Sequence, residues 1–175
     1  MLKILIVEDE PLLAKTLKHL IELNPRYNVI EIADDLTSAL AAAEERLPDL
    51  ALVDLQLARG STGFSVAVKL NEIGVPSLFT TGKAPSFPMP DLALGCLQKP
   101  FEEEHLVRAL TEAEDILRGR RKLTLRARLP EQLEIYSPSG EAPPDPEWTP
   151  SRTRPTLRSR LWNLVRRPSS FVDAA

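Results

Sequence analysis

Up to about residue 118 the chain alternates between short apolar runs and stretches whose apolar positions recur every three or four residues. Residues 2–7 (Leu-Lys-Ile-Leu-Ile-Val) read as a buried strand, and Pro11 stands where the first turn of a helix tolerates proline. Leu13, Leu17, Leu20 and Ile21 share one face of that helix, which is predicted to end near Asn24-Pro25. Residues 29–32 give a second strand. A second helix carries Leu36, Ala39, Leu40, Ala43 and Leu47 and is stopped by Pro48. Residues 50–53 read as a third strand, 64–71 as a third helix closed by Gly74, 75–80 as a fourth strand and 95–98 as a fifth. Leu106, Ala109, Leu110, Ala113, Ile116 and Leu117 make the apolar stripe of a last helix.

Strands alternating with helices imply right-handed crossovers and a parallel sheet covered on both faces. The predicted fold is therefore α/β: a flavodoxin-like, doubly wound, five-stranded parallel sheet. One unit breaks the rhythm. Where a fourth helix belongs, between the fourth and fifth strands, stand Pro85, Pro88 and Pro90. Prolines at that density remove donors and clash with preceding carbonyls, so the helix is degenerate, with at most a turn over residues 91–94 and a mobile loop expected before it.

Beyond residue 118 the pattern changes again, dividing the chain into a domain at 1–118 and a Pro-rich extension at 119–175. Residues 122–129 alternate apolar and basic, and 133–136 form a second β-like run, which suggests a short hairpin over 122–136. Residues 137–155 have linker composition, and 157–167 have the spacing of a basic amphipathic helix that includes Trp162. The net charge of −3 hides this division. Residues 1–117 hold 10 Lys+Arg and 19 Asp+Glu, a net of −9, whereas residues 118–175 hold 12 and 6, a net of +6. The basic extension has two readings. It is either a solvated tail resting on the acidic domain or a contact for DNA or an anionic membrane, and it shows no helix-turn-helix pattern.

Cysteine usage and apolar run lengths narrow the setting. A single cysteine, Cys96, forms no internal disulfide, the first apolar run is too short for a signal peptide, and no run approaches a membrane span. A soluble cytoplasmic protein is expected.

In an open parallel sheet, chemistry gathers outside the carboxyl ends of the strands. Four polar features fall there: Glu8-Asp9, Asp54, Thr80-Thr81 and Lys99-Pro100. The first and third strands would be neighbours, so Glu8, Asp9 and Asp54 should converge. Three carboxylates in one place raise each other's pKa unless a cation sits among them, and Mg2+ suits an all-oxygen set. Lys99 would add a cation and Thr81 a hydroxyl donor on the other side of a phosphoryl group. Taken singly, each feature has a plainer reading as a helix cap, a solvated loop or a β-former; their joint appearance at four strand ends is the signal.

That arrangement resembles the receiver domain of two-component response regulators, over residues 1–118. The resemblance rests on Leu-Ile-Val-Glu-Asp-Glu (5–10), Pro-Asp-Leu-Ala-Leu-Val-Asp-Leu (48–55), Val-Pro-Ser-Leu-Phe-Thr-Thr-Gly (75–82) and Leu-Gln-Lys-Pro-Phe (97–101). It implies Asp54 as phosphoacceptor, and Glu8, Asp9, Asp54 and the backbone carbonyl of Gln56 as Mg2+ ligands. It further implies Thr81 as switch hydroxyl, Lys99 as the phosphoryl-binding cation and Pro100 as a cis-proline. A sensor histidine kinase or histidine phosphotransfer protein would donate the phosphoryl group, and a downstream protein would read the result. Such a protein is a phosphoacceptor that assists its own phosphorylation and dephosphorylation, not an enzyme. Cys96 stands where the family carries a switch aromatic, so coupling between threonine and aromatic cannot run unchanged. Phe79-Thr80-Thr81-Gly82 with a broken fourth helix is similar to the FATGUY group of single-domain response regulators, although Lys83-Ala84 lacks that motif's aromatic ending.

Other functions are weaker. A haloacid-dehalogenase-type phosphatase wants a carboxylate two residues after its nucleophile, and position 56 is Gln. A pseudo-receiver would not need the full set Glu8, Asp9, Asp54, Thr81 and Lys99. A flavin carrier on this fold would need a phosphate-cradling loop after the first strand.

Overall fold

A computed structural model describes residues 1–57, 62–120 and 129–136. The chain divides into two compact units, Met1–Gly140 and Glu141–Ala175, and every described residue belongs to the first. The sheet runs β2-β1-β3-β4-β5-β6, built from β1 (Leu2–Val7), β2 (Tyr27–Ala33), β3 (Leu50–Asp54), β4 (Ser77–Thr81), β5 (Gly95–Gln98) and β6 (Leu133–Ile135). The first five strands are parallel, in the doubly wound order expected. The sixth is antiparallel to β5, pairing Gly95 with Ile135 and Leu97 with Leu133. The β-like run at 133–136 thus joins the main sheet, beyond the boundary expected at 118. The other arm proposed for a hairpin (122–128), the linker and the helix at 157–167 lie outside the described residues.

Helices α1 (Pro11–Glu22), α2 (Leu36–Arg46), α3 (Gly63–Glu72) and α4 (Glu103–Leu117) cover the sheet. Their starts follow local chemistry. Pro11 opens α1, and reciprocal capping boxes start α2 (Asp35 with Ser38) and α3 (Thr62 with Ser65). α2 stops one residue earlier than its apolar spacing suggests, because Leu47 turns left-handed (φ 50°) ahead of Pro48. β4 starts at Ser77, not at residue 75, since Pro76 has no N–H for the ladder.

No helix links β4 to β5. Residues 82–94 hold only one turn near their end, where Leu92 and Ala93 N–H both donate to the Met89 carbonyl. The prolines act as their spacing implies.

Two apolar layers sandwich the sheet. One joins Ile4, Ile6, Leu52, Leu78 and Leu97 to α1 and α4, and includes Leu133 and Ile135. The other joins Leu5, Val53 and Phe79 to α2 and α3, and includes Cys96 and Tyr136. Alternate residues of each strand feed opposite layers, and this alternation drives the polar residues to the strand ends. α4 is tied at its far end by Glu114, a buried carboxylate that meets Arg118 at 2.8 Å and Arg26 and Arg120 at 3.5 Å. Among the described residues no helix is long and apolar enough to cross a membrane.

Candidate functional site at the strand ends

The carboxyl edge of β1 and β3 delivers three carboxylates. Asp54 is the last residue of β3, and Glu8 and Asp9 follow β1 directly. Glu8 is held in line by its N–H, which donates to the Ala33 carbonyl at 2.9 Å. Oxygens of Glu8, Asp9 and Asp54 lie within 4.8 Å of one another. Glu8 and Asp54 are buried, at 3% and 5% exposure, so their charges are not diluted by bulk water.

Lys99 answers them. Its Nζ lies 2.7 Å from Asp54 Oδ2 and 2.9 Å from Glu8 Oε2, bridging the two carboxylates. The lysine is presented by β5: Lys99 N–H donates to the Thr81 carbonyl at 2.7 Å, and the peptide to Pro100 is cis. The remaining oxygens are met by backbone. Asp54 Oδ1 accepts from Gln56 N–H at 3.0 Å, and Glu8 Oε1 accepts from Glu10 N–H at 3.3 Å.

Burial pushes the Glu8 carboxyl above its usual pKa, even though the hydrogen bond from Lys99 pulls the other way. For Lys99, burial disfavours the ammonium, but hydrogen bonds to Asp54 and Glu8 outweigh it and hold the pKa above its ordinary value. The site is thus a charged cluster with more carboxylates than cations.

An oxygen-only donor set suits a hard divalent cation. Metal–oxygen bonds of about 2.1 Å put opposite ligands of an octahedron roughly 4.2 Å apart. Donors within 4.8 Å need close only slightly to reach that span. With Lys99 on one oxygen each of Glu8 and Asp54, the other oxygens stay on the side of Gln56 and Glu10.

Thr81 ends β4 and is buried, at 1% exposure. Its hydroxyl is engaged in its own turn, donating to the Lys83 carbonyl at 3.0 Å and accepting from Lys83 N–H at 3.2 Å. The structure therefore clusters Glu8, Asp9, Asp54 and Lys99, sets Gln56 beside Asp54 through its amide, and puts Thr81 on the adjoining strand end, turned to the loop.

Two contributors escaped sequence reasoning. A Cβ on Gly63 would sit 2.1 Å from the Asp54 carbonyl oxygen, so only glycine lets α3 start against the end of β3. The glycine just inside a Thr-Gly-Phe-Ser helix start was the signal. The second is the pairing of β6 with β5, since the run at 133–136 reads as β-like but not as an edge of this sheet.

The pattern of known proteins agrees with this geometry. The response regulator receiver domain family matches residues 4–111. The phyllosphere-induced regulator PhyR of Methylorubrum extorquens is 37% identical over 116 residues, which cover 63% of this chain and 43% of PhyR. The chain thus spans less than half the length of that relative. The solution structure of the Erythrobacter litoralis PhyR receiver domain superposes with a TM-score of 0.56 at 29% identity, covering 65% of this chain and 89% of that one. A CheY-like receiver domain from Methanospirillum hungatei gives 0.61 at 26% identity, covering 69% and 99%. Fold, strand-end carboxylates and family match converge: the chain belongs to the response regulator receiver domain family.

Proposed function

We propose that Asp54 accepts a phosphoryl group from a phosphohistidine on a sensor histidine kinase or histidine phosphotransfer protein, and that a downstream protein reads the change. The observation that carries this reading is Lys99 Nζ bridging Asp54 and Glu8 within a three-carboxylate cluster at the strand ends. A carboxylate oxygen of Asp54 attacks phosphorus; the O–P bond forms as the donor's P–N bond breaks and the imidazole leaves. Water attack on the acyl phosphate later releases inorganic phosphate and restores the carboxylate. The chain acts as a phosphoacceptor whose own side chains favour both steps.

Glu8, Asp9, Asp54 and the Gln56 backbone carbonyl are the residues that would hold Mg2+. When bound, that ion offsets the charge of the incoming phosphoryl oxygens. Lys99 already lies on Asp54 and needs only to follow the new oxygens, a charge-assisted contact. Thr81 would donate to the same group, at the expense of its bond to the Lys83 carbonyl. Exchanging that bond alters the start of residues 82–94, so a phosphoryl group on Asp54 biases the loop a partner would read.

Incubation with Mg2+ and acetyl phosphate tests the reading. Intact-mass analysis should show an acid-stable, base-labile phosphoryl adduct on the wild type and none on Asp54→Asn. An adduct that persists in Asp54→Asn removes Asp54 from the role.

A further inference from the structure

We propose that β6 is a clamp on the acceptor site, with Tyr136 as its positioning residue: the strand holds β5 so that Lys99 is presented to Asp54. This rests on the phosphoacceptor reading and extends it to a segment that the receiver match at 4–111 does not include.

The β5 edge is shaped to admit this strand. A Cβ on Gly95 would lie 3.1 Å from Ile135 Cα, a tight contact, and 2.3 Å from the Glu134 carbonyl oxygen, closer than a side chain allows. Glycine at the first position of β5 therefore lets β6 close what would otherwise be an open edge.

The bonds that β6 makes fall at both functional ends of β5. Gln98 N–H donates to the Gln132 carbonyl at 2.7 Å, one residue before Lys99. Tyr136 N–H donates to the Leu94 carbonyl at 2.9 Å, where residues 82–94 enter the strand. On its other side β5 is held by β4, through the 2.7 Å bond from Lys99 N–H to the Thr81 carbonyl. The four-residue strand carrying Lys99 is thus gripped from two sides, and one grip comes from β6.

Side chains anchor the grip in both apolar layers. Leu133 and Ile135 are buried with Leu106 and Leu110. Tyr136 is buried, at 4% exposure, in the opposite layer with Cys96, Ala93, Met89 and Leu92. Among the described residues no helix covers the Cys96 face of β5, so the Tyr136 ring supplies bulk there that residues 82–94 alone leave to a few side chains.

The test uses the full chain as wild type, Tyr136→Ala, Tyr136→Phe and Gly95→Ala, with two readouts. Residue-resolved hydrogen exchange reports Gln98, Lys99 and residues 82–94 against β1, and initial labelling by acetyl phosphate with Mg2+ reports the site. Tyr136→Ala and Gly95→Ala should speed exchange at Gln98 and Lys99 about tenfold relative to β1 and slow labelling several-fold, while Tyr136→Phe stays within about twofold of wild type. Exchange that rises equally in β1 and β5, with unchanged labelling, overturns the clamp and leaves Tyr136 a filler of the core. If Tyr136→Ala does not fold, Gly95→Ala decides, since it displaces β6 and leaves the ring intact. A wild type that takes no label refutes the acceptor reading instead, and the exchange arm still decides whether β6 holds β5.

Discussion

The two halves of the sheet are built differently. In β2-β1-β3 the crossovers are regular helices, and β3 is buried at all five positions. That half fixes the three carboxylates, which repel one another and stay together only on a stiff frame. Between β4 and β5 the helical crossover is missing, β5 is four residues long and β6 three, and among the described helices α4 packs on β5 and β6 from one face while backbone bonds to loops hold their ends. The cation that answers the carboxylates, Lys99, comes from this lighter half. The carboxylates and their counter-charge thus come from differently built halves, an arrangement that suits the proposed phosphoryl switch.

Breaking the joint between the halves has the largest expected effect. Phe79 in β4 is fully buried and meets Phe64 of α3 edge-on, with ring centroids 5.7 Å apart. Phe79→Ala should cost about 3–5 kcal/mol, read as a fall in the denaturant midpoint. The loss should unprotect β3 and β4 together, because the contact spans both halves. Protection lost from β4 alone would show that the halves open independently.

Removing the counter-charge tests the chemistry at the joint. Lys99→Met keeps the stem but takes the ammonium from Asp54 and Glu8. Labelling by acetyl phosphate should slow by about a hundredfold, the scale on which one positioned electrostatic group acts. Stability should fall as well, since Glu8 and Asp54, at 3% and 5% exposure, lose the cation they share, so the rate is compared on folded protein. A rate within threefold or so of wild type would place the phosphoryl-binding cation elsewhere.

The same division decided what could be read from sequence. Runs such as residues 2–7 and 50–53 are strands because both faces of a parallel sheet are dry, so their apolar continuity is a local signal. Glu8, Asp9 and Asp54 were placed for the same reason, as the first polar residues after such runs, and Lys99 as the cation at the end of the fifth. The pairing of β6 with β5 was not. It joins residues 95–98 to 133–135 across α4, and nothing in the alternation of 133–136 says which edge it seeks. Gly63 and Gly95 became meaningful only with the opposing backbone in place, since a missing Cβ is informative only against the atom it would strike. Thr81 was placed at its strand end, but its bond to Lys83 depends on the turn that follows.

Alkaline pH should act first on the lighter half. Burial in the layer under Tyr136 pushes the Cys96 thiol from 9.0 to about 11. The folded state thus keeps a proton that the unfolded state gives up, so stability is full below pH 9 and declines as pH rises toward 11. A two-unit difference is worth about 2–3 kcal/mol. Lys99 loses its contribution in the same direction but higher, above its ordinary 10.5. Urea midpoints across this range should fall less steeply for Cys96→Ala than for wild type. Equal slopes would mean that the thiol titrates alike in both states.

The smallest change tests whether the halves are energetically separate. Leu47 closes α2 with φ 50°, a left-handed conformation that costs a β-carbon residue about 1–2 kcal/mol. Its side chain is 41% exposed, so little burial is lost on truncation. Leu47→Gly relieves the backbone but adds freedom to the unfolded chain, which returns part of the gain and leaves a net rise of about 0.5–1 kcal/mol. Because α2 packs on β1 and β2 and not on β5, slower exchange should appear in those strands while Gln98 and residues 82–94 exchange as before. A rise shared by every strand would instead mean that the whole sheet opens as one unit, and that Lys99 moves only when the carboxylates do.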